Sequence, residues 1–254
     1  MAYDPATGSI SGTYWRQLTS SHGLTSAIRG CVAARTTVLW FCIAAAYTAN
    51  VGAGVLKVAV NDPQGLPVAN AVVTAELIQS TDPTPLAMPA GESQTVTISQ
   101  KNEQFEPIVS VVRKGTVVSF PNQDDILHNV YSFSNAKKFQ LPLYRDKAPT
   151  PVTFDKPGTV ILGCNIHDWM VAYVYVVDTP YFRKTSDDGF VELNNLPAGS
   201  YRVRVDHPRK RKRGSTAPQT LSIGPQDTLN TEFVIALKPE WRPRKHTTQP
   251  TRGD

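Results

Sequence analysis

Cysteine is scarce in this chain, three among 254 residues, and Cys31 and Cys42 both precede residue 50. That inventory excludes a disulfide framework, and a chain processed after residue 53 would keep Cys164 alone. An unpaired thiol is a small buried hydrophobe, a reactive group or a metal ligand. Methionine is equally rare, at three, and histidine numbers five. Long apolar runs are missing too. The run Thr36–Tyr47 is too short to cross a bilayer comfortably. Charged residues make up 19%, with a formal balance of +5. Without residues 1–53, which carry three arginines and Asp4, the balance is 23 − 20, or +3. Such mild basicity with no recognition motif gives no warrant for nucleic-acid binding, and none is expected.

Residues 1–53 read as a leader and signal peptide. Arg29 and Arg35 precede the Thr36–Tyr47 core, and Val51-Gly-Ala53 places small residues before a cleavage point after Ala53. Export to the periplasm is therefore expected, with no stable membrane span once the signal is removed. The alternative is that the segment is kept as an anchor.

From Val55 onward the pattern is that of strands. Val55–Val60 alternates into the turn Asn61-Asp-Pro-Gln-Gly65, and Ala71–Ile78 is a second β-rich run. Residues 80–94, rich in Pro, Thr, Ala and Gly, read as a linker. Val109–Val112, the turn Lys114-Gly115 and Thr116–Phe120 give two further strands, and Val130–Phe133 another. Asn135–Thr150 is polar and reads as loop, while Pro157-Gly158 marks the turn into the strand before Cys164. Short runs punctuated by Gly and Pro predict an all-β protein. Pro208-Arg-Lys-Arg-Lys-Arg-Gly214 is a basic run expected on a solvated loop, or else a docking patch for an acidic surface. Residues 239–254 read as a disordered tail.

The chemistry concentrates in Gly163-Cys-Asn-Ile-His-Asp-Trp-Met170, a short loop between Thr159–Leu162 and Val171–Val177. It offers a thiolate, an imidazole and a thioether at Cys164, His167 and Met170. His128 lies at the edge of another strand-like run. Two imidazoles and a thiolate with a weak axial Met form the set that selects copper and tunes a one-electron couple. Zinc would call for four Cys or His ligands, or for a carboxylate and an open position, and Met170 suits it poorly. Cys–His nucleophilic catalysis would need a third, orienting group that the sequence does not place. Asp124 and Asp125 read as turn carboxylates able to bias partner choice. Trp169 either presents an aromatic surface beside His167 or packs into the seam. His207, after an alternating strand, is expected at the surface or hydrogen-bonded.

At these residues the chain resembles the cupredoxins. Cys-x-x-His-x-x-Met is similar to the short ligand loop of amicyanin, and Val118-Ser-Phe-Pro-Asn122 with His128-Asn-Val130 to the family's first-His segment. A closer likeness, through Val130–Ser134 and Leu162–Met170, is to periplasmic cupredoxin-like proteins labelled methylamine utilization proteins. The resemblance implies one type 1 copper with His128, Cys164 and His167 equatorial and Met170 axial. It also implies that Asn129 ties the two ligand loops together.

Asp62-x-x-Gly65-x-Pro67-x-x-x-Ala71, with Asp187–Leu193 and Leu196–Val205, resembles carboxypeptidase-regulatory or transthyretin-like sandwiches. The expected architecture is thus a cupredoxin Greek-key β-sandwich inserted in, or packed on, a second, smaller β-sandwich. Its expected parts are 54–95 and 179–238 for the smaller sandwich and 96–178 for the cupredoxin domain. The expected function is single-electron transfer between a redox donor and acceptor protein, not enzymatic turnover of a substrate. Five histidines are too few for a multicopper enzyme. The alternatives are copper trafficking, which three methionines support poorly, and an interaction module with a structural copper site. Oligomeric state is left open.

Overall fold

Alternating apolar residues do form the strands. The computed structural model describes residues 53–80, 95–146, 149–211 and 216–240, and every regular element among them is a β-strand. In chain order these are β1 (Gly54–Asn61), β2 (Val72–Ser80), β3 (Thr95–Thr97), β4 (Ser99–Lys101), β5 (Gln104–Glu106) and β6 (Val109–Arg113). There follow β7 (Thr116–Ser119), β8 (Tyr131–Ser134), β9 (Lys137–Gln140), β10 (Val152–Phe154), β11 (Gly158–Gly163) and β12 (Val171–Val177). The series closes with β13 (Tyr181–Lys184), β14 (Phe190–Leu196), β15 (Gly199–Asp206), β16 (Gln219–Ile223) and β17 (Thr228–Val234). The leader over 1–53, most of the 80–94 linker, residues 212–214 of the basic run and the tail from 241 fall outside the described residues, save Ala53 itself.

Two sheets, β14-β1-β17 and β13-β2-β15-β16, bury one core. In β1 the inward Leu56, Val58 and Val60 are fully buried and alternate with partly exposed neighbours, the period of two that a half-buried strand demands. The turn after β1 is closed by Asp62, whose Oδ1 accepts the amides of Gln64 and Leu66, and by Gly65 at a φ of +80°. Across the core lie Tyr201 and Val203, with Phe233 beside Val60 in the same sheet as β1, and the Tyr201 hydroxyl donates to the Pro197 carbonyl at 2.7 Å.

A second core is built by residues 96–176. Its sheets are β10-β7-β3 and the five-stranded β6-β12-β11-β8-β9, with β4 and β5 forming a separate hairpin. Phe105, Phe120, Phe154 and Leu162 are its large buried side chains. The chain thus leaves the first pair of sheets after β2 and re-enters it at β13. A small third cluster, Val72 with Val109 and Tyr175, joins residues of the two regions. Beside it the Lys184 ammonium donates to the Val109 carbonyl at 2.6 Å.

The loop expected over 135–150 is corrected by the structure, since β9 lies within it. Lys137–Gln140 has one apolar residue, Phe139, so local pattern carries no strand signal. Pairing with β8 supplies it, and Phe139 lies 5.8 Å from the ring of Phe120 and 6.2 Å from that of Phe154. Tertiary partners here override local propensity.

Candidate metal centre

The site forms where two loops meet at one end of the second core. The hairpin β11–β12 carries the loop 164–170, and its strands pair from Gly158↔Val176 to Gly163↔Val171. Cys164 leaves the end of β11 and is 3% exposed. Three residues on, His167 is half-buried, and its carbonyl accepts the Met170 amide at 2.9 Å, which tightens the loop into a turn. Met170 is buried in the same core as Cys164.

His128 arrives from the loop between β7 and β8. Its backbone is bridged twice to Tyr144, amide to carbonyl at 3.0 Å and carbonyl to amide at 2.8 Å. Asn122 Nδ2 donates to the carbonyls of Ile126 and Tyr144, at 2.8 and 2.9 Å, closing the same loop. Under it the Tyr144 hydroxyl donates to the Phe120 carbonyl and receives Nε2 of the fully buried Gln100. Burial pushes the Tyr144 hydroxyl up to about 12, so it stays a donor at ordinary pH.

Those frames bring His128, Cys164 and His167 together, their ligand atoms all within 4.8 Å of one another. His128 Nδ1 lies 3.0 Å from His167 Nδ1, and Cys164 Sγ lies 4.0 and 3.7 Å from them respectively. A trigonal ion with bonds of about 2.0–2.3 Å would separate such donors by about 3.5–3.8 Å. The Cys164–His167 edge is of that size, the Cys164–His128 edge is slightly longer and the Nδ1–Nδ1 edge, at 3.0 Å, is shorter. Asn129, 2% exposed, accepts the Asn165 amide on its Oδ1 at 2.8 Å and so links the two loops, as the resemblance implied.

Asp124 has a role the sequence did not reveal. Its Oδ2 lies 2.8 Å from Nε2 of the fully buried His128. The carboxylate also accepts the amides of Asn102 and Glu103, at 2.6 and 2.9 Å. Partial burial pulls its pKa up, but the Glu103 amide, His128 and the Asn102 amide outweigh that and hold the carboxyl below its usual range. Spacing alone hides this contact, because an i,i+4 pair in a loop has no fixed geometry. Asp125 and Asp168 are exposed. Trp169 packs on the core, with its ring 5.3 Å from that of His167.

The donor set decides among chemistries. Among the described residues no carboxylate joins the three ligand atoms, so a fourth hard ligand for zinc is not at hand. The series Cys164, His128, Asp124 does supply the orienting group that nucleophilic catalysis requires. Yet both Cys164 and His128 are buried, and a cleft of about 570 Å³ lined by Glu76, Tyr175 and Arg204 touches none of the three. His207 lies elsewhere, half-buried, with Nδ1 accepting the Arg209 amide at 3.1 Å. A thiolate and two imidazoles, with a buried thioether on the same loop, fit a copper ion.

No model of a known protein family matches the chain. None of the curated proteins compared with it matches either. Among solved structures it is similar to the Cu-containing nitrite reductase (NirK) from Thermus scotoductus SA-01, at 25% identity over 34% of this chain and 23% of that one, with a TM-score of 0.32. The chain therefore spans under a quarter of that protein's length. It is also similar to the purple cupredoxin from Nitrosopumilus maritimus, at 23% identity over 32% of this chain and 99% of that one, with a TM-score of 0.29. A reduced Cu(I) form of an amicyanin variant matches at 20% identity over 41% of this chain and 98% of that one, with a TM-score of 0.31. The protein is all-β, built of β-sandwiches. The structures it resembles over part of its length are cupredoxins and a copper enzyme.

Proposed function

We propose that the protein is a type 1 copper electron carrier, with His128, Cys164 and His167 as equatorial ligands and Met170 as the axial one. The observation that carries this reading is the convergence of two imidazole Nδ1 atoms and one cysteine sulfur, from separate loops, within 4.8 Å. Bound copper would supply a Cu(I)/Cu(II) couple at this ligand set. The residues do the rest. Double bridging of His128 to Tyr144 and the Asn129–Asn165 bond hold the donors in place with or without metal, which limits rearrangement when charge changes. Burial of Cys164 keeps the thiol from solvent oxidants.

The partners are a redox donor and acceptor protein. Ile126 and Leu127 beside His128, and Ile166 beside His167, are exposed and offer an apolar contact surface on both ligand loops. In this reading residues 1–53 direct export to the periplasm, 96–178 form the copper domain, and 54–95 with 179–238 form the flanking sandwich. The chain transfers electrons and turns over no substrate of its own.

Visible absorption and EPR of the protein titrated with Cu(II) test the reading. An intense thiolate-to-copper band with narrow hyperfine splitting, bleached reversibly by a mild reductant, is expected at one copper per chain. Cys164→Ser abolishes the band. A weak ordinary cupric signal in the parent protein, or a band that survives Cys164→Ser, would overturn the ligand assignment and favour trafficking or a structural site.

A further inference from the structure

The hairpin β4–β5 turns through Asn102 and Glu103, both at positive φ, 51° and 55°. Consecutive residues in that conformation make a tight two-residue turn matched to strand twist. Here their amides are both directed onto one carboxylate, that of Asp124. The Asp124 amide in turn donates to Asn122 Oδ1 at 2.9 Å. The carboxylate is therefore fixed from a neighbouring hairpin before it meets His128. It also meets the imidazole Nε2, at 2.8 Å.

We propose that Asp124 is the positioning residue of the metal centre: it holds the hydrogen of His128 on Nε2 and so presents the Nδ1 lone pair to Cys164 and His167. The proposal rests on the copper reading above for its effect on potential, but not for its effect on the ring. A neutral imidazole carries one hydrogen, and the partner of one nitrogen decides what the other can do. A carboxylate accepting from Nε2 excludes the tautomer with hydrogen on Nδ1, which would face His167 Nδ1 at 3.0 Å. It also makes Nδ1 a stronger donor, an advantage that grows with the charge of the ion. The oxidised state gains more than the reduced one. The ring is fully buried, so bulk solvent does not reach it to replace this partner.

The experiment compares the full chain with Asp124→Asn and Asp125→Asn. The second variant removes the same charge one residue away, from an exposed side chain. In metal-free protein, ¹⁵N NMR of the His128 ring reads the tautomer directly. The hydrogen is expected on Nε2 in the parent and in Asp125→Asn, and on Nδ1 or mixed in Asp124→Asn. In copper-loaded protein, Asp124→Asn is expected to weaken Cu(II) binding about 10–100-fold. With Cu(I) binding held, that is a rise in potential of about 59 mV per tenfold.

An unchanged tautomer in Asp124→Asn, or a potential shift equalled by Asp125→Asn, overturns the proposal. Should Asp124→Asn fail to fold, Asp124→Glu restores a carboxylate and must keep hydrogen on Nε2; a changed tautomer there also overturns it. If the parent shows no thiolate-to-copper band, the copper reading falls, and the metal-free tautomer comparison still decides the role of Asp124.

Discussion

Gly163 sets the entry to Cys164, and replacing it isolates one contact. Its backbone is not in the left-handed region, so the position requires space and not glycine's conformational freedom. A Cβ built there would lie 2.8 Å from both Cζ and Oη of Tyr131, the residue paired with Gly163 across β8–β11. Either the strand yields to overpacking, at about 1–3 kcal/mol, or the ring swings away. Swinging away forfeits its packing against Phe133, centroids 5.1 Å apart, worth about 0.5–1.5 kcal/mol. Alanine in a strand interior recovers about 0.5–1 kcal/mol over glycine. For Gly163→Ala the balance runs from about 0 to 2.5 kcal/mol of loss if the strand yields, and from a gain of about 0.5 to a loss of about 1 kcal/mol if the ring swings. In a Tyr131→Ala background the steric cost vanishes, and the same substitution stabilises by about 0.5–1 kcal/mol. The substitution is therefore more favourable in the Tyr131→Ala background, by about 0.5–3 kcal/mol. Urea unfolding of the four proteins of this cycle, metal-free, measures it. An equal effect of Gly163→Ala in both backgrounds would refute the reasoning.

Two further predictions concern the loops and acid stability. Asn129→Ala removes the acceptor of the Asn165 amide and is expected to cost about 1–3 kcal/mol, read as a lower denaturant midpoint in the metal-free protein. His207 has its pKa pushed down to about 4, mainly by burial and further by Arg209. Its unfolded value is near 6.5, so the unfolded chain binds the proton first. The stability it contributes is therefore present above about pH 6.5 and lost as pH falls from there towards 4. His207→Gln is expected to flatten the stability profile in that window; a profile parallel to the parent's would count against the assignment.

Much of the molecule was legible in one dimension. Alternation in Val55–Val60 and the Asp62–Gly65 turn identified β1 and its exit, because side-chain period and turn chemistry are local properties. The ligand loop was equally plain, since Cys164, His167 and Met170 lie within seven residues and need only a turn to share a face. Asn129, named through resemblance, bonds across to Asn165. Asp124 was read as a turn carboxylate able to bias partner choice. Its amide does cap a turn on Asn122, but its carboxylate serves His128.

The residues themselves determined which donors are available: a cysteine sulfur, two imidazoles and a thioether, a set of the kind that suits copper. Tertiary structure alone decided that His128, 36 residues before Cys164, meets it. It also decided that β9 forms within a polar stretch and that a hairpin from 99–106 grips Asp124. The division has one physical cause. Periodicity and turn preference act between neighbours in the chain, whereas sheet pairing and burial act between segments brought together only when the core closes.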